Sequence, residues 1–208
     1  MNNQVETMSA LRLAHDRSSA PLPREIAVLG PLRLTAGRVH ELCGPARHTL
    51  AMLVARALEG PVFWIAPDWE KARLMGDGIA PFVDPGRITF LTPGRSEDLL
   101  WSVEEALRAG CVPLVVADIP TPPAMTPVRR LHLAAETGGG TALGILLTPG
   151  DGGAAGIESR WKLTPRHSAI RRNWQLERRR ARVAPPAAWT LAHDASGFAL
   201  TAASSSDH

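Results

Sequence analysis

The chain has 208 residues, 45% hydrophobic and 21% charged, with a formal net charge of +3. These values suit one domain with a full-sized core and exclude a disordered chain. No apolar run is long enough to span a bilayer, and MNNQVETMSA has neither a basic start nor an apolar signal core, so a cytoplasmic protein is expected.

Residues 1–22 read as a short helix and linker, because Val5, Met8, Leu11 and Leu13 fall near helical spacing before SSAPLP. From residue 38 strands and helices alternate. Residues 38–43 form a strand, Gly44-Pro45 breaks it, and a helix near 46–58 carries Leu50, Leu53, Val54, Ala57 and Leu58 on one face. Residues 62–65 are a short buried strand, after which Asp68 is expected to cap a helix that weakens at Gly76 and Gly78. A strand at 87–91 precedes the strongest helix, 99–109, opened by Ser96, Glu97 and Asp98 and closed by Gly110. The run VPLVVADI (112–119) has the unbroken apolar character of a strand buried on both faces. Thr126-Pro127 starts a helix over 128–136, Gly138-Gly139-Gly140 ends it, and a strand follows at 143–147. Such alternation predicts a parallel sheet with helices on both faces.

The pattern then changes. Strand-like segments at 160–163, 173–182, 188–193 and 197–201 predict antiparallel strands that extend the sheet, the last two joined through Asp194-Ala195-Ser196-Gly197. Residues 203–208 read as a disordered tail.

The junction at 37–58 resembles the start of a phosphate-binding P-loop. A working loop needs G-x-x-x-x-G-K-[ST], whose amides and lysine hold the phosphates. Counted from Gly44, those last three positions hold Thr49, Leu50 and Ala51. With Thr49 taken as the hydroxyl instead, the loop is two residues short and His48 stands in the lysine place. Neither register makes a nucleotide site, so Gly44, Pro45, Arg47, His48 and Thr49 are expected to form a degenerate loop without a cofactor.

Charge is unevenly spread. Residues 1–159 carry 14 basic and 17 acidic side chains, whereas residues 160–208 carry 9 basic and 3 acidic ones. The nine cations are Arg160, Lys162, Arg166, Arg171, Arg172, Arg178, Arg179, Arg180 and Arg182. In a strand over 173–182, Trp174, Leu176, Arg178, Arg180 and Arg182 share one face, with Arg179 opposite beside Gln175 and Glu177. Cations interleaved with Trp161 and Trp174 suit a single-stranded nucleic-acid path, an acidic protein patch, or a solvated edge strand guarded by charge.

Other features carry less. Cys43 and Cys111 abut apolar strands and read as small buried hydrophobes. The spacing of His40, Cys43 and His48 matches no usual zinc pattern. Trp64 and Trp101 sit in apolar periodic segments and are expected in the core. Arg129-Arg130 is poorly placed for the dipole of its helix, which points to an external partner or a salt bridge. No Ser-His-Asp, paired-carboxylate or Cys-His grouping has supporting context, so no catalytic residue and no enzyme is expected.

GRVHELCGP and the strand VPLVVADI resemble the P-loop and Walker B strands of the RecA recombinases. EDLLWSVEEALRAG, PVRRLHLAAETGGGTALGILLTPG, ESRWKL and NWQLERRRARV are similar to segments of the ImuA family of RecA-like mutagenesis accessory proteins, a resemblance covering most of residues 37–192. It implies a RecA-like three-layer domain over 23–202, with 160–202 as its antiparallel C-terminal strands. It also implies a damage-induced, non-catalytic role in error-prone translesion synthesis. The implied partners are RecA, a catalytically inactive Y-family polymerase homologue and an error-prone replicative-type polymerase. Asp118 falls at the Walker B aspartate, Asp68 near the place of the catalytic glutamate, and the Gly/Ala-rich, flexible loop 148–157 at the second DNA-binding loop. Two rival readings stand beside this one. One is a SulA-type inhibitor that binds the tubulin-like division protein; the other is an ATPase in which Arg47 or His48 replaces the lysine.

Overall fold

In the computed structural model, which describes residues 24–70, 74–194 and 197–202, alternation from residue 38 is followed closely. The elements are β3 (Val39–Cys43), α1 (Arg47–Arg56), β4 (Val62–Ile65), the one-turn α2 (Gly76–Ile79), β5 (Ile88–Leu91), α3 (Ser96–Ala109), β6 (Leu114–Asp118), α4 (Met125–Thr137) and β7 (Leu143–Thr148). They are followed by β8 (Ser159–Pro165), β9 (Arg172–Ala181), β10 (Ala187–Asp194) and β11 (Gly197–Ala202). The expected N-terminal helix and C-terminal tail lie outside the described residues.

Nine strands form one sheet in the order β11-β10-β9-β8-β3-β7-β6-β4-β5. β8 pairs parallel with β3, and the pairs among β3, β7, β6, β4 and β5 are also parallel. β8 to β11 pair antiparallel in sequence order, with Asp194 opposite Gly197 as the hairpin signal requires. The result is a mixed α/β fold whose parallel strands are continued by an antiparallel C-terminal set.

Two apolar cores follow from strand alternation, since neighbouring residues face opposite sides of the sheet. Leu42, Leu114, Val116, Ile145 and Leu147 join α1 on one side. Val39, Val115, Ala117 and Leu146 join α3 and α4 on the other. Truncating a central residue such as Ile145, fully buried, would cost about 2–5 kcal/mol.

Ahead of the predicted alternation lies an N-terminal hairpin, β1 (Glu25–Leu29) and β2 (Leu32–Thr35), which forms a separate two-stranded sheet. Its role explains the composition of α1. Every residue from Leu50 to Ala55 is buried, not only the stripe expected from periodicity. A helix apolar all round needs cover on two sides. The nine-stranded sheet supplies one, and Ile26, Leu32 and Leu34 of the hairpin supply the other.

Four local expectations are corrected. Asp68 caps no helix among the described residues: it lies in a turn after β4, its amide donating to Pro93 O at 3.2 Å, and the glycines expected to weaken a helix lie within α2 itself. α3 starts one turn earlier than its apolar stripe, at Ser96, with Arg95 as its uncapped N-cap and Glu97 and Asp98 in its first turn. Gly110 does end it, in a left-handed conformation (φ 60°) where an added Cβ would meet Gly138 O at 2.2 Å. Trp101 is 57% exposed, because it points away from the core stripe of Leu99, Val103, Ala106 and Leu107. Trp64, by contrast, is buried as expected. Cys43 is buried but Cys111, just past the end of α3, is exposed. Among the described residues no helix is long and apolar enough to cross a membrane.

Candidate functional site

The carboxyl ends of β3, β4, β5 and β6 meet at the first turn of α1, the crevice where open α/β sheets usually hold ligands. Gly44 leaves β3 with φ 89° because a Cβ there would stand 2.7 Å from Leu163 O. The chain then enters α1 after only Pro45 and Ala46. Pro45 has no amide hydrogen, the Ala46 amide donates to Leu163 O at 3.1 Å, and the Arg47 amide donates to Gly44 O at 3.2 Å. Two of the amides at this turn, those of Ala46 and Arg47, are thus spent on the protein's own carbonyls.

The side chains of this turn face Asp118, at the end of β6. His48 Nε2 lies 2.5 Å from Asp118 Oδ2, and since a carboxylate only accepts, the imidazole donates. Arg47 Nη2 approaches Oδ1 at 3.5 Å, while its Nε is buried without a partner among the described residues. Asp118 is therefore held from two sides. Beside it is a cleft of about 270 Å³, walled by Trp64, Phe90 and Leu74 and floored by His48 and Asp118. That is smaller than the roughly 300–1,000 Å³ of usual ligand pockets. A magnesium–nucleotide does not fit these residues: lysine is missing, the amides of Ala46 and Arg47 are engaged, and the carboxylate already has two donor partners. Thr49 belongs to α1 and lends no loop for a triphosphate.

Loop 148–157 is not the flexible segment its glycines suggest. Glu41, fully buried on β3, accepts from Thr148 Oγ1 at 2.7 Å, Gly153 N at 2.8 Å and Ala154 N at 3.1 Å. Its second oxygen pairs with Arg160 Nε, and Arg160 Nη2 donates to Ala154 O at 2.9 Å. His132 fastens the far end, accepting from Val39 N at Nδ1 (3.3 Å) and donating from Nε2 to Gly156 O (3.1 Å). Burial holds the His132 pKa below its ordinary value, so it acts as a neutral staple.

A second buried histidine joins three strands. Trp161 Nε1 donates to Ser159 Oγ at 3.0 Å, Ser159 Oγ stands 2.7 Å from His40 Nδ1, and His40 Nε2 accepts from the Thr35 amide at 3.1 Å. Desolvation pushes the His40 pKa down to about 4, consistent with a neutral ring completing this chain. Nothing in residue spacing signalled it beyond a histidine inside a buried strand. Among the described residues no group of three His, Cys, Asp or Glu side chains is placed to hold a metal ion.

The basic segment is redistributed by one irregularity. Arg160 pairs with Arg180 but Trp161 with Arg178, so Arg179 is an extra residue, a β-bulge. Beyond it the facing reverses. Arg178 shares a face with Trp161, whereas Arg180 faces the other side with Arg160, so the single arginine face expected over 174–182 does not form. Arg178 Nε donates to Pro185 O at 2.8 Å, and its guanidinium lies over the Trp161 and Trp189 rings at 5.7 and 5.3 Å. Lys162 pairs with Asp151 at 2.5 Å, Arg179 with Glu177 at 3.4 Å and Arg182 with Glu158 at 3.4 Å. Arg130, in the first half of α4, pairs with Glu104 at 2.6 Å, which gives that unfavourably placed cation an internal partner. No protein-family model matches the chain, and no curated protein matches it.

Proposed function

We propose that the chain is a RecA-like, non-catalytic accessory factor of damage-induced, error-prone translesion DNA synthesis. It docks RecA or an inactive Y-family polymerase homologue and works beside an error-prone replicative-type polymerase. The sequence resemblance over residues 37–192 brings this reading to the chain.

The observation that carries it is the His48–Asp118 contact at 2.5 Å. In P-loop proteins the helix start and the Walker B aspartate hold phosphate and magnesium between them. Here the same two places, the first turn of α1 and the end of β6, are joined directly by a histidine in the lysine position of one register. That supports a degenerate P-loop whose scaffold has outlived its chemistry. A protein so built acts through its surfaces.

The test is affinity capture of the full chain from cells after DNA damage. Recovery of RecA or of a polymerase component is expected. Recovery of neither would overturn the docking role.

A further inference from the structure

We propose that the free end of the β8–β9 hairpin binds the phosphate backbone of single-stranded nucleic acid, and that the arginine run at 178–182 does not. The proposal rests on the reading of the chain as a protein that works at damaged DNA, and it deepens that reading by placing the contact.

Neutralisation decides between the two surfaces. A cation already paired with a carboxylate offers phosphate little net attraction, because the existing pair must be broken first. Arg160, Lys162, Arg179 and Arg182 are each paired with a carboxylate, and Arg178 is committed to Pro185 O and two indole rings, which leaves Arg180 as a single exposed cation of that run without an ion pair among the described residues. The bulge also sends Arg178 and Arg180 to opposite faces, so no continuous cationic track runs along β9.

The hairpin end is different. Among the described residues the Arg166 guanidinium is bonded to the neutral Gln175 Oε1, at 3.0 and 3.2 Å, and to no carboxylate. Arg171 and Arg172 have no ion pair among the described residues, and both are exposed. All three stand at or beside a groove of about 1090 Å³ that Arg171, Arg172, His167, Thr190 and His193 help to line. His167 meets Trp174 edge-on at 4.8 Å, and His193 stacks on Phe198 at 4.2 Å. Trp174 is buried and gives no face to a base, so base contacts fall to the two imidazoles and to the apolar side chain of Ile170, 88% exposed at the turn. Asp194 also lines the groove, at the end of β10. Three free cations beside flat and apolar surfaces are the elements of a sequence-tolerant single-strand site.

The expected salt dependence is modest. Three neutralised phosphates on a single strand give a slope of about −2 in log K against log salt, or about a 20-fold loss between about 50 and 200 mM. Fluorescence anisotropy of the full chain with labelled oligothymidylate reads this directly, alongside the variants R171A/R172A and R179A/R182A. A second hairpin variant, R171Q/R172Q, guards against a folding defect, and equal melting temperatures are required of all of them. R171A/R172A and R171Q/R172Q should lose about two-thirds of the slope, and R179A/R182A should keep it. No binding at low salt, or a loss confined to R179A/R182A, overturns the proposal. Tighter capture of polyglutamate than of oligothymidylate would also overturn it and assign the arginines to an acidic protein. If oligonucleotide binding fails while RecA or a polymerase component is still captured, this placement falls and the accessory reading stands.

Discussion

His48 and Asp118, 70 positions apart, are joined at 2.5 Å across the mouth of the parallel sheet. The contact links the start of α1 to the end of β6 and occupies the space between them. Because Asp118 is only 12% exposed, its partners matter to stability as well as to chemistry.

His48→Ala and Asp118→Ala should each destabilise the fold by about 1–3 kcal/mol, the cost of leaving a nearly buried polar group without its partner. Their effects should be coupled by about 1 kcal/mol or more in a double-mutant cycle followed by urea unfolding. Strict additivity would mean that the contact is absent in solution.

Glu41→Gln should be more damaging, at about 3–5 kcal/mol, because it leaves the Arg160 charge without its buried partner. The same variant should open loop 148–157 to proteases that spare the parent. Resistance unchanged in the variant would show that the loop is held by something other than Glu41.

Stability should fall in mild acid. The His40 pKa is about 4 in the folded chain and near 6.5 when unfolded, so between those values the unfolded state binds more protons. The contribution is fully present above about pH 6.5 and is lost as pH falls towards about 4, amounting to on the order of 3 kcal/mol. His132, also lowered by burial, acts with the same sign. His40→Gln should flatten the profile measured by thermal unfolding across this window. An unchanged acid limb would remove His40 as its source.

Cys111 is exposed, whereas Cys43 is buried and its thiol is pushed up to about 11, first by desolvation and then by Glu41. A thiol-reactive dye should therefore label Cys111 in the native protein and Cys43 only after denaturation. Rapid native labelling of Cys43 would contradict the sealed strand end.

The parallel half was legible because its strands and helices have different periods and are punctuated by glycines, as Gly110 illustrates. The β1–β2 hairpin was faint in the sequence: Ile26, Val28, Leu32 and Leu34 alternate around Gly30-Pro31, but its strands have only five and four residues. The candidate site was half legible. Replacement of the lysine was plain in the sequence, but the Ala46 amide bonds to Leu163 O, whose position depends on β8 pairing beside β3. The bulge at Arg179 was hidden for a similar reason: alternation assumes an unbroken register, and only the partner strand reveals an extra residue. Glu41 read as an ordinary strand residue, yet its carboxylate organises a loop more than a hundred positions away.

The most direct test of the central claim is isothermal titration of MgATP into the full chain and into His48→Lys. Neither should give saturable heat, because restoring the lysine does not free the amides of Ala46 and Arg47. Saturable, magnesium-dependent binding to the parent chain that is lost in Asp118→Asn would contradict it, and would return this cleft to nucleotide chemistry.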